Sequence, residues 1–341
     1  MGSAGACCSG SRRRGGWALG AGWRLPGAIG ARSESYTLEG MSEMARGFCV
    51  LMSVYRGDAL AHLERAVRSA TVEQSVPPNQ LVIVRDGPVA ADVQAFLDGL
   101  EGAVAGWFAA QSREAGSAPT VSVVPLERNQ GLAHALNVGL AHCEYELVAR
   151  ADADDISLPS RFATMLPLFD GAGEVGVAGS AIQEFSGDEG NESSRGQVRV
   201  LPAGGCELAK YARMQSPLHH PSVMLRKSVV LAAGGYPEHA GRFEDYLLWE
   251  RLMLRGVTFA NVSEVLVLYR VDAGAYERRG GREMFREELR LQRWFLRDGF
   301  VSVPQFVRNV AVRACYRLIP TGVRREMYRM LVKLRNSEQA K

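Results

Sequence analysis

The chain has 341 residues, 47% of them hydrophobic and 23% charged, with a net charge of +3. That composition excludes a disordered or fibrous chain and supplies apolar material for a large core. Charge is uneven: residues 1–40 carry five arginines against two glutamates and residues 276–341 carry 16 lysines and arginines against 7 acids, so the body between them is acidic. An acidic body with a basic tail argues against nucleic acid and for a surface partner of the tail. The six cysteines (7, 8, 49, 143, 206 and 315) show no metal-ligand spacing and read as reduced thiols of a cytosolic protein. No apolar run reaches the roughly 18 residues that a bilayer span needs.

Residues 1–44 are rich in Gly, Arg and Ser, and lack both the apolar core of a secretory signal and the patterning of a fold. They read as a disordered extension or as sequence upstream of the true start, because Met41 and Met44 stand directly before the first strand. A native N-terminus upstream of Met41 would overturn the second reading.

Phe48 to Val54 is a continuous apolar run, predicted as a buried strand that ends on Tyr55, and a helix follows from about Ala59 to Ala70. Leu81 to Val84 is a second buried strand delivering Asp86-Gly87-Pro88 to a turn. A helix runs from there to about Leu100, and residues 102–119 read as a loose connection. Val121 to Leu126 is the third strand, and Asn129-Gln130-Gly131-Leu132 turns into a helix to about Ala141. Tyr145 to Ala149 is the fourth strand, and it delivers Asp152, Asp154 and Asp155 to a turn before Leu158-Pro159-Ser160 opens another helical pattern.

Strand alternating with helix four times predicts an α/β fold with a mostly parallel sheet and helices on both faces. Ligands of such sheets sit beyond the carboxyl ends of the strands. Tyr55, Asp86, Asn129 and Asp152 all fall there. Asp86 and Asn129 each have a plain turn explanation, so the shared edge is what points to a site.

Three clustered carboxylates raise one another's pKa, which suits a bound cation. Oxygen ligands with no nearby Cys or His favour Mg²⁺ or Mn²⁺ and a phosphate-bearing substrate. A calcium loop of EF-hand type fails, because its sixth and twelfth positions would be Ser157 and Ala163. The glycine-rich dinucleotide fingerprint and the P-loop lysine motif are both absent, which argues against dehydrogenases and P-loop ATPases.

Further on, Val175 to Ser180 reads as a strand and Ser186 to Gln197 as a polar loop, mobile over the site. His219-His220-Pro221-Ser222 precedes another strand. Gly234-Gly235-Tyr236-Pro237 turns toward a helix whose first turn holds Glu244 and Asp245, where the helix dipole alone favours carboxylates. Trp249 follows one turn later and reads first as a core aromatic. Val265 to Tyr269 is the last strand, with Arg270 at its end. From Arg282 to Arg335 the pattern becomes basic amphipathic helices, with Phe285, Leu289, Trp294 and Phe295 as one apolar set and Phe306, Val310 and Val312 as another. Such helices either lie on an anionic membrane or pack on the body.

The segments Val54-Tyr55, Val84-Arg85-Asp86-Gly87, Asn129-Gln130-Gly131-Leu132 with Ala135-Leu136-Asn137-Val138-Gly139, and Ala149 to Ser157 together resemble a family 2 glycosyltransferase of the GT-A fold. The resemblance covers about residues 48–272 and is nearest in kind to bacterial exopolysaccharide and O-antigen transferases of the amylovoran type. It implies a Rossmann-like catalytic domain over residues 45–272, with a nucleotide-sugar half (45–157) and an acceptor half (158–272), then a basic helical region (273–336). It further implies that Val54, Tyr55, Asp86, Asn129 and Asp152 surround the donor nucleotide, and that Asp154 with Asp152 ligates Mg²⁺ or Mn²⁺. Asp245, beside Glu244, would deprotonate the acceptor hydroxyl; acceptor or diphosphate contacts are open to His220, otherwise a packing histidine behind the site, to Trp249, under a sugar ring or else in the core, and to Arg270, which otherwise closes the domain. Many members have an acidic residue where Arg85 stands, a departure that bears on base or sugar choice. The implied activity is inverting transfer from a nucleotide diphospho-sugar, UDP ahead of other bases, to a lipid-linked oligosaccharide or polysaccharide at the cytoplasmic membrane face. Two rivals stay open. A sugar-1-phosphate nucleotidyltransferase should show a basic, Gly-rich loop near its start, and none is visible; a non-catalytic sugar-binding protein has no need of Glu244 and Asp245.

Overall fold

The computed structural model describes residues 47–111, 117–170, 175–187, 189–271 and 281–318. The extension 1–44 and the last part of the basic region, 319–336, lie outside the described residues.

Among the described residues nine strands form one sheet: β1 (Phe48–Tyr55), β2 (Gln80–Asp86), β3 (Thr120–Pro125), β4 (Leu147–Asp152), β5 (Ile156–Ser157), β6 (Val175–Phe185), β7 (Arg195–Arg199), β8 (Met224–Arg226) and β9 (Thr258–Arg270). The order is β3-β2-β1-β4-β8-β6-β9-β5, with β7 on the free side of β6. The first four strands and the β6–β9 pair are parallel; β8, β7 and β5 pair antiparallel. β1 explains why the centre of the sheet is apolar on both faces. Phe48, Val50, Met52 and Val54 enter one core cluster, while Cys49 and Leu51 enter the other.

Helices cover both faces. α1 (Leu60–Ala70), α2 (Ala91–Asp98) and α3 (Leu100–Ala110) bury Leu63, Val67, Val93, Leu97, Val104 and Phe108 on one. α4 (Leu132–His142) and α8 (Glu244–Leu254) bury Leu136, Leu140, Leu248, Trp249 and Leu252 on the other. Between them lie α5 (Arg161–Met165), α6 (Gly205–Ala212) and α7 (Lys227–Ala232). The expected α/β architecture is therefore the one observed. No disulfide joins the described cysteines, Cys49, Cys143, Cys206 and Cys315.

Three local expectations give way to tertiary packing. Where a loose connection was predicted, α3 runs to Ala110; Gly102 and Gly106 weaken the helical signal, but Leu100, Val104 and Phe108 at helical spacing are buried on the sheet. The segment 186–197 is no free loop: a short 3₁₀ turn, Glu192–Ser194, leads into β7, whose exposed polar residues pair with the edge of β6. Such a strand carries no hydrophobic alternation to announce it. In the basic region, α9 (Arg282–Arg297) buries Met284, Leu291 and Phe295 rather than Phe285, Leu289 and Trp294. Leu291 and Phe295 pack on Tyr246 and Leu247 of α8, so α9 belongs to the body. α10 (Val303–Leu318) leaves Val303, Val307 and Val312 exposed.

Candidate active site

Parallel register sets Tyr55 opposite Asp86 and Ser53 opposite Asp152, so the ends of β1, β2 and β4 form one edge. Tyr55 is 47% exposed there. Its N–H donates to Asp58 Oδ2 at 2.8 Å, and its ring passes so close to Gly57 that a Cβ would come within 2.4 Å of it. Val54 turns its side chain into the core, leaving only main chain for the edge.

Asp86 is buried and clasps the turn after β3. Its Oδ1 accepts from the Gln130 N–H at 2.7 Å, and its Oδ2 accepts from the Gly131 N–H and from Asn129 Nδ2, both at 2.9 Å. The clasp needs Gly87: its φ is +85°, and a Cβ would lie 2.5 Å from the Asn129 nitrogen. Asp86 and Asn129 are thus brought together as expected of one edge. Arg85, the next residue back, leaves the opposite face of β2 and donates to Gln94 Oε1 of α2 at 2.6 Å.

The acidic turn follows β4. Oxygens of Asp152, Asp154 and Asp155 lie within 4.8 Å of one another. Asp155 is buried; its Oδ1 accepts from the Arg270 N–H at 2.8 Å, while its Oδ2 has no hydrogen-bond partner among the described residues. Arg270 donates through Nε to the Asp154 carbonyl at 2.9 Å, and its guanidinium lies 4.4 Å from the Phe185 ring centre. Burial pushes the Asp154 carboxyl up to about 6, helped by the charge of Asp152 and opposed by Arg270 and Arg150. Burial, then Asp152 and Asp154, hold Asp155 well above the ordinary carboxylate range. Asp58 joins the cluster: burial carries it to about 6 against the Tyr55 N–H bond, and Asp154 and Asp152 add to the rise. The sequence reading missed Asp58; its spacing of three from Tyr55, as in an Asx-type turn, was the available signal. An orphaned carboxylate oxygen amid oxygen-only ligands fits a hard divalent cation.

Across the cleft, the turn at Gly234 and Gly235 (φ +90° and +73°) presents Tyr236. Asn137 of α4 grips its main chain from both sides, at 2.7 and 2.8 Å. The Tyr236 hydroxyl lies 3.1 Å from His220 Nε2. α8 then opens with Glu244 and Asp245, and Asp245 Oδ1 accepts from the Tyr246 N–H at 2.6 Å. Burial lifts Asp245 to about 6, with the Tyr246 N–H and Arg150 opposing it. Burial and then the charge of Asp245 lift Glu244 to about 7. The charge of Asp152 adds to the rise at Glu244.

Packing places the three remaining candidates. Trp249 is fully buried, edge-on to His220 and Phe259 with centroids 6.0 Å away in each case. It cannot lie under a sugar ring; it is core. His220 is buried too, and burial and then Arg150 drive its pKa well below normal, so it stands neutral behind Tyr236. Arg270 belongs to the acidic turn. A residue the sequence reading passed over, Arg150, is 4% exposed and ion-paired with Asp152.

Residues 49–229 match the family model described as glycosyl transferase family 2. The chain is 31% identical over 293 residues to UDP-Gal:alpha-D-GlcNAc-diphosphoundecaprenol beta-1,3-galactosyltransferase of Escherichia coli, covering 86% of this chain and 99% of the relative. It is 33% identical over 284 residues to the amylovoran biosynthesis glycosyltransferase AmsE of Erwinia amylovora, covering 82% and 97%. The solved mannosyltransferase PcManGT from Pyrobaculum calidifontis, in complex with GDP-Man and Mn²⁺, has a TM-score of 0.51 at 16% identity, covering 79% of this chain and 69% of that one. That likeness is one of fold.

Proposed function

Because the chain belongs to glycosyl transferase family 2 and is thereby a transferase acting on nucleotide sugars, we propose that it moves the sugar of a UDP-sugar, with inversion, to a lipid-linked oligosaccharide or polysaccharide. Family membership sets aside the nucleotidyltransferase reading. The observation that carries the proposal is the acidic turn at the end of β4, where oxygens of Asp152, Asp154 and Asp155 lie within 4.8 Å of one another.

In this reading residues 45–157 hold the donor. Tyr55, the main chain at Val54, and the Asp86–Asn129 clasp take the nucleotide, with Asp152 beside them. Asp154 and Asp152, with the unpartnered Oδ2 of Asp155, would hold Mg²⁺ or Mn²⁺. The cation supplies charge that stabilises the departing diphosphate. Residues 158–272 bring the acceptor, whose hydroxyl oxygen attacks the anomeric carbon from the face opposite the diphosphate. Asp245 takes the hydroxyl proton as the new glycosidic bond forms and the bond to the diphosphate oxygen breaks. A base raised to about 6 is ionised at neutral pH yet basic enough to accept a proton.

The lipid-linked acceptor and a place at the cytoplasmic membrane face rest on two supports: the acceptor named for the Escherichia coli relative, and the exposed valines of α10 within the basic region 273–336. No helix among the described residues is long and apolar enough to cross a membrane.

Calorimetric titration with UDP, with and without Mn²⁺, tests the donor side; Asp154→Ala should remove the metal-dependent part. Transfer is assayed with a panel of UDP-sugars and a synthetic GlcNAc-diphospho-lipid. Asp245→Asn should keep UDP binding and lower turnover by roughly 10²- to 10⁴-fold. Near-normal turnover in that variant would reject Asp245 as the base.

A further inference from the structure

Two helices of the body end in the same way, and the space between their ends is hollow. α8 stops at Gly256 (φ +79°), whose N–H donates to the Met253 carbonyl while the Val257 N–H donates to that of Leu252. α9 stops at Gly299 (φ +77°), with the Phe300 N–H on the Phe295 carbonyl. Each glycine turn sends the next apolar residue back over its helix. Val257 and Phe300, with Leu208, Met253 and Phe259, thereby line a hollow of about 360 Å³, and Leu254, 49% exposed, is part of its wall. The hollow is far from the acidic turn. Leu225 of β8 pairs with Val148 of β4 and with Val177 of β6, and Val175 pairs with Thr258 at the start of β9, so the hollow lies at the amino ends of the strands. α8, 11 residues and about 16 Å long, runs from Glu244 and Asp245 at one edge to the hollow at the other.

Arg213, at the end of α6, is the charged residue of the lining. It is exposed, and its guanidinium makes no hydrogen bond or ion pair among the described residues. Asp298, beside Gly299, is held by Arg297. An arginine at a helix end also offsets the helix dipole, but that gives no reason for the apolar wall next to it. α10 extends the surface outward. Its Asn309 donates to the Arg213 carbonyl at 2.7 Å and its Arg313 to the Met214 carbonyl at 2.6 Å, which seats it against the end of α6. The polar side of α10 is the inner one, where Asn309 meets Gln292 and Arg317 meets Glu288. The outer side repeats Val303, Val307, Ala311 and Cys315, all exposed. That inverts the usual order of a helix facing water. α10 also holds Arg308, Arg313 and Arg317 and no acidic residue, so its surface suits a partner both apolar and anionic.

We propose that the hollow seats one acyl chain of an anionic phospholipid, its phosphate on Arg213, while the outer side of α10 lies in the same bilayer surface. An apolar hollow alone would take any hydrocarbon; the unpaired guanidinium on its rim selects one that carries a phosphate. The acceptor lipid answers to a different place, because its diphospho-sugar must lie where Asp245 reaches the sugar hydroxyl, a helix length away. The proposal rests on the membrane placement given above for the source of the lipid, and on neither the donor nor the base assignment.

The full chain is titrated by calorimetry with dihexanoylphosphatidylglycerol below its micelle concentration, and separately with geranyl phosphate and with inorganic phosphate. Phosphatidylglycerol should fill a single saturable site. Arg213→Gln should weaken it about fivefold, the share of one arginine at an anionic lipid. Ala209→Trp, which sets an indole into the hollow from the exposed side of α6, should abolish binding. Wild type should co-sediment with phosphatidylglycerol vesicles, and both variants should keep the wild-type affinity for UDP. Absence of a saturable site, or equal binding by wild type and Ala209→Trp, overturns the proposal. Inorganic phosphate binding as tightly as the lipid reduces the site to an anion site, and tighter binding of geranyl phosphate gives the hollow to prenyl carriers; either result overturns it. If Ala209→Trp does not melt cooperatively, Leu254→Asp takes its place with the same expected loss. Monomeric lipid bound without co-sedimentation removes the bilayer as the source and overturns it as well. Co-sedimentation without monomer binding leaves the membrane placement standing and rejects the hollow alone. Failure of wild type to bind UDP rejects the donor reading and does not bear on this site.

Discussion

Replacing Glu250 by Gln should stabilise the protein in alkali and destabilise it slightly in mild acid. Glu250 lies on α8, is 0% exposed, and neither carboxylate oxygen has a partner among the described residues. Burial, and then the charge of Asp298 just past α9, raise its carboxyl from 4.5 to about 7, against offsets from Arg251, Arg297 and Arg255. The native state thus holds this proton more tightly than the unfolded chain does. Its contribution is full below about 4.5 and is lost as pH rises through about 7. A rise of that size is worth about 3 kcal/mol at most. The amide left in its place is itself unpartnered, which costs about 1 kcal/mol, leaving a gain of about 2 kcal/mol. For a domain of this size that is roughly 4–8 °C in Tm. Thermal unfolding of wild type and Glu250→Gln, followed by circular dichroism from pH 4.5 to 8.5, reads the difference directly. A Tm difference that is constant with pH, or largest in acid, would refute the reasoning.

Asp86→Ala would leave the Gln130 and Gly131 N–H groups and Asn129 Nδ2 without their acceptor, at about 1–3 kcal/mol for each group that finds no water. Faster hydrogen exchange in residues 129–131 and weaker UDP binding are expected, and unchanged exchange there would contradict the clasp. On α10, Val307 is 59% exposed, so Val307→Asp should lower co-sedimentation with anionic vesicles while sparing Tm and UDP affinity. Equal sedimentation of both proteins would take this helix out of any membrane contact.

How much of this was legible in the sequence follows from what each element is made of. β1, β2 and β4 are covered on both faces and so read as continuous apolar runs, which is why their ends, and the acidic turn with them, are easily located. β7 is exposed and polar, and its pairing with β6 is made by backbone groups that composition does not reveal. α3 is held by three buried side chains among glycines and alanines, where tertiary packing overrides a weak local preference. In α9 a helix with apolar residues on several sides left its buried face undetermined until α8 chose Leu291 and Phe295.

The site residues divide along the same line. Asp86, Asn129 and Asp152 share a strand edge that chain order alone locates, whereas Trp249 and His220 differ from surface binders only in what packs over them. Arg150 is the hardest to see, because within Leu147–Asp152 it looks like an interruption of an apolar strand. Its meaning lies in what burial does to charge. An arginine at 4% exposure is costly unless carboxylates surround it, and carboxylates as buried as Asp155 and Glu244 are costly without a cation. The cleft sets these groups against one another, and burial still leaves Asp58, Asp154, Asp155, Glu244 and Asp245 raised. A fold that only had to be stable would replace such a set with apolar side chains. Retaining it concentrates electrostatic cost at one edge of the sheet, where a metal-bound diphosphate and an acceptor proton are the ligands that relieve it.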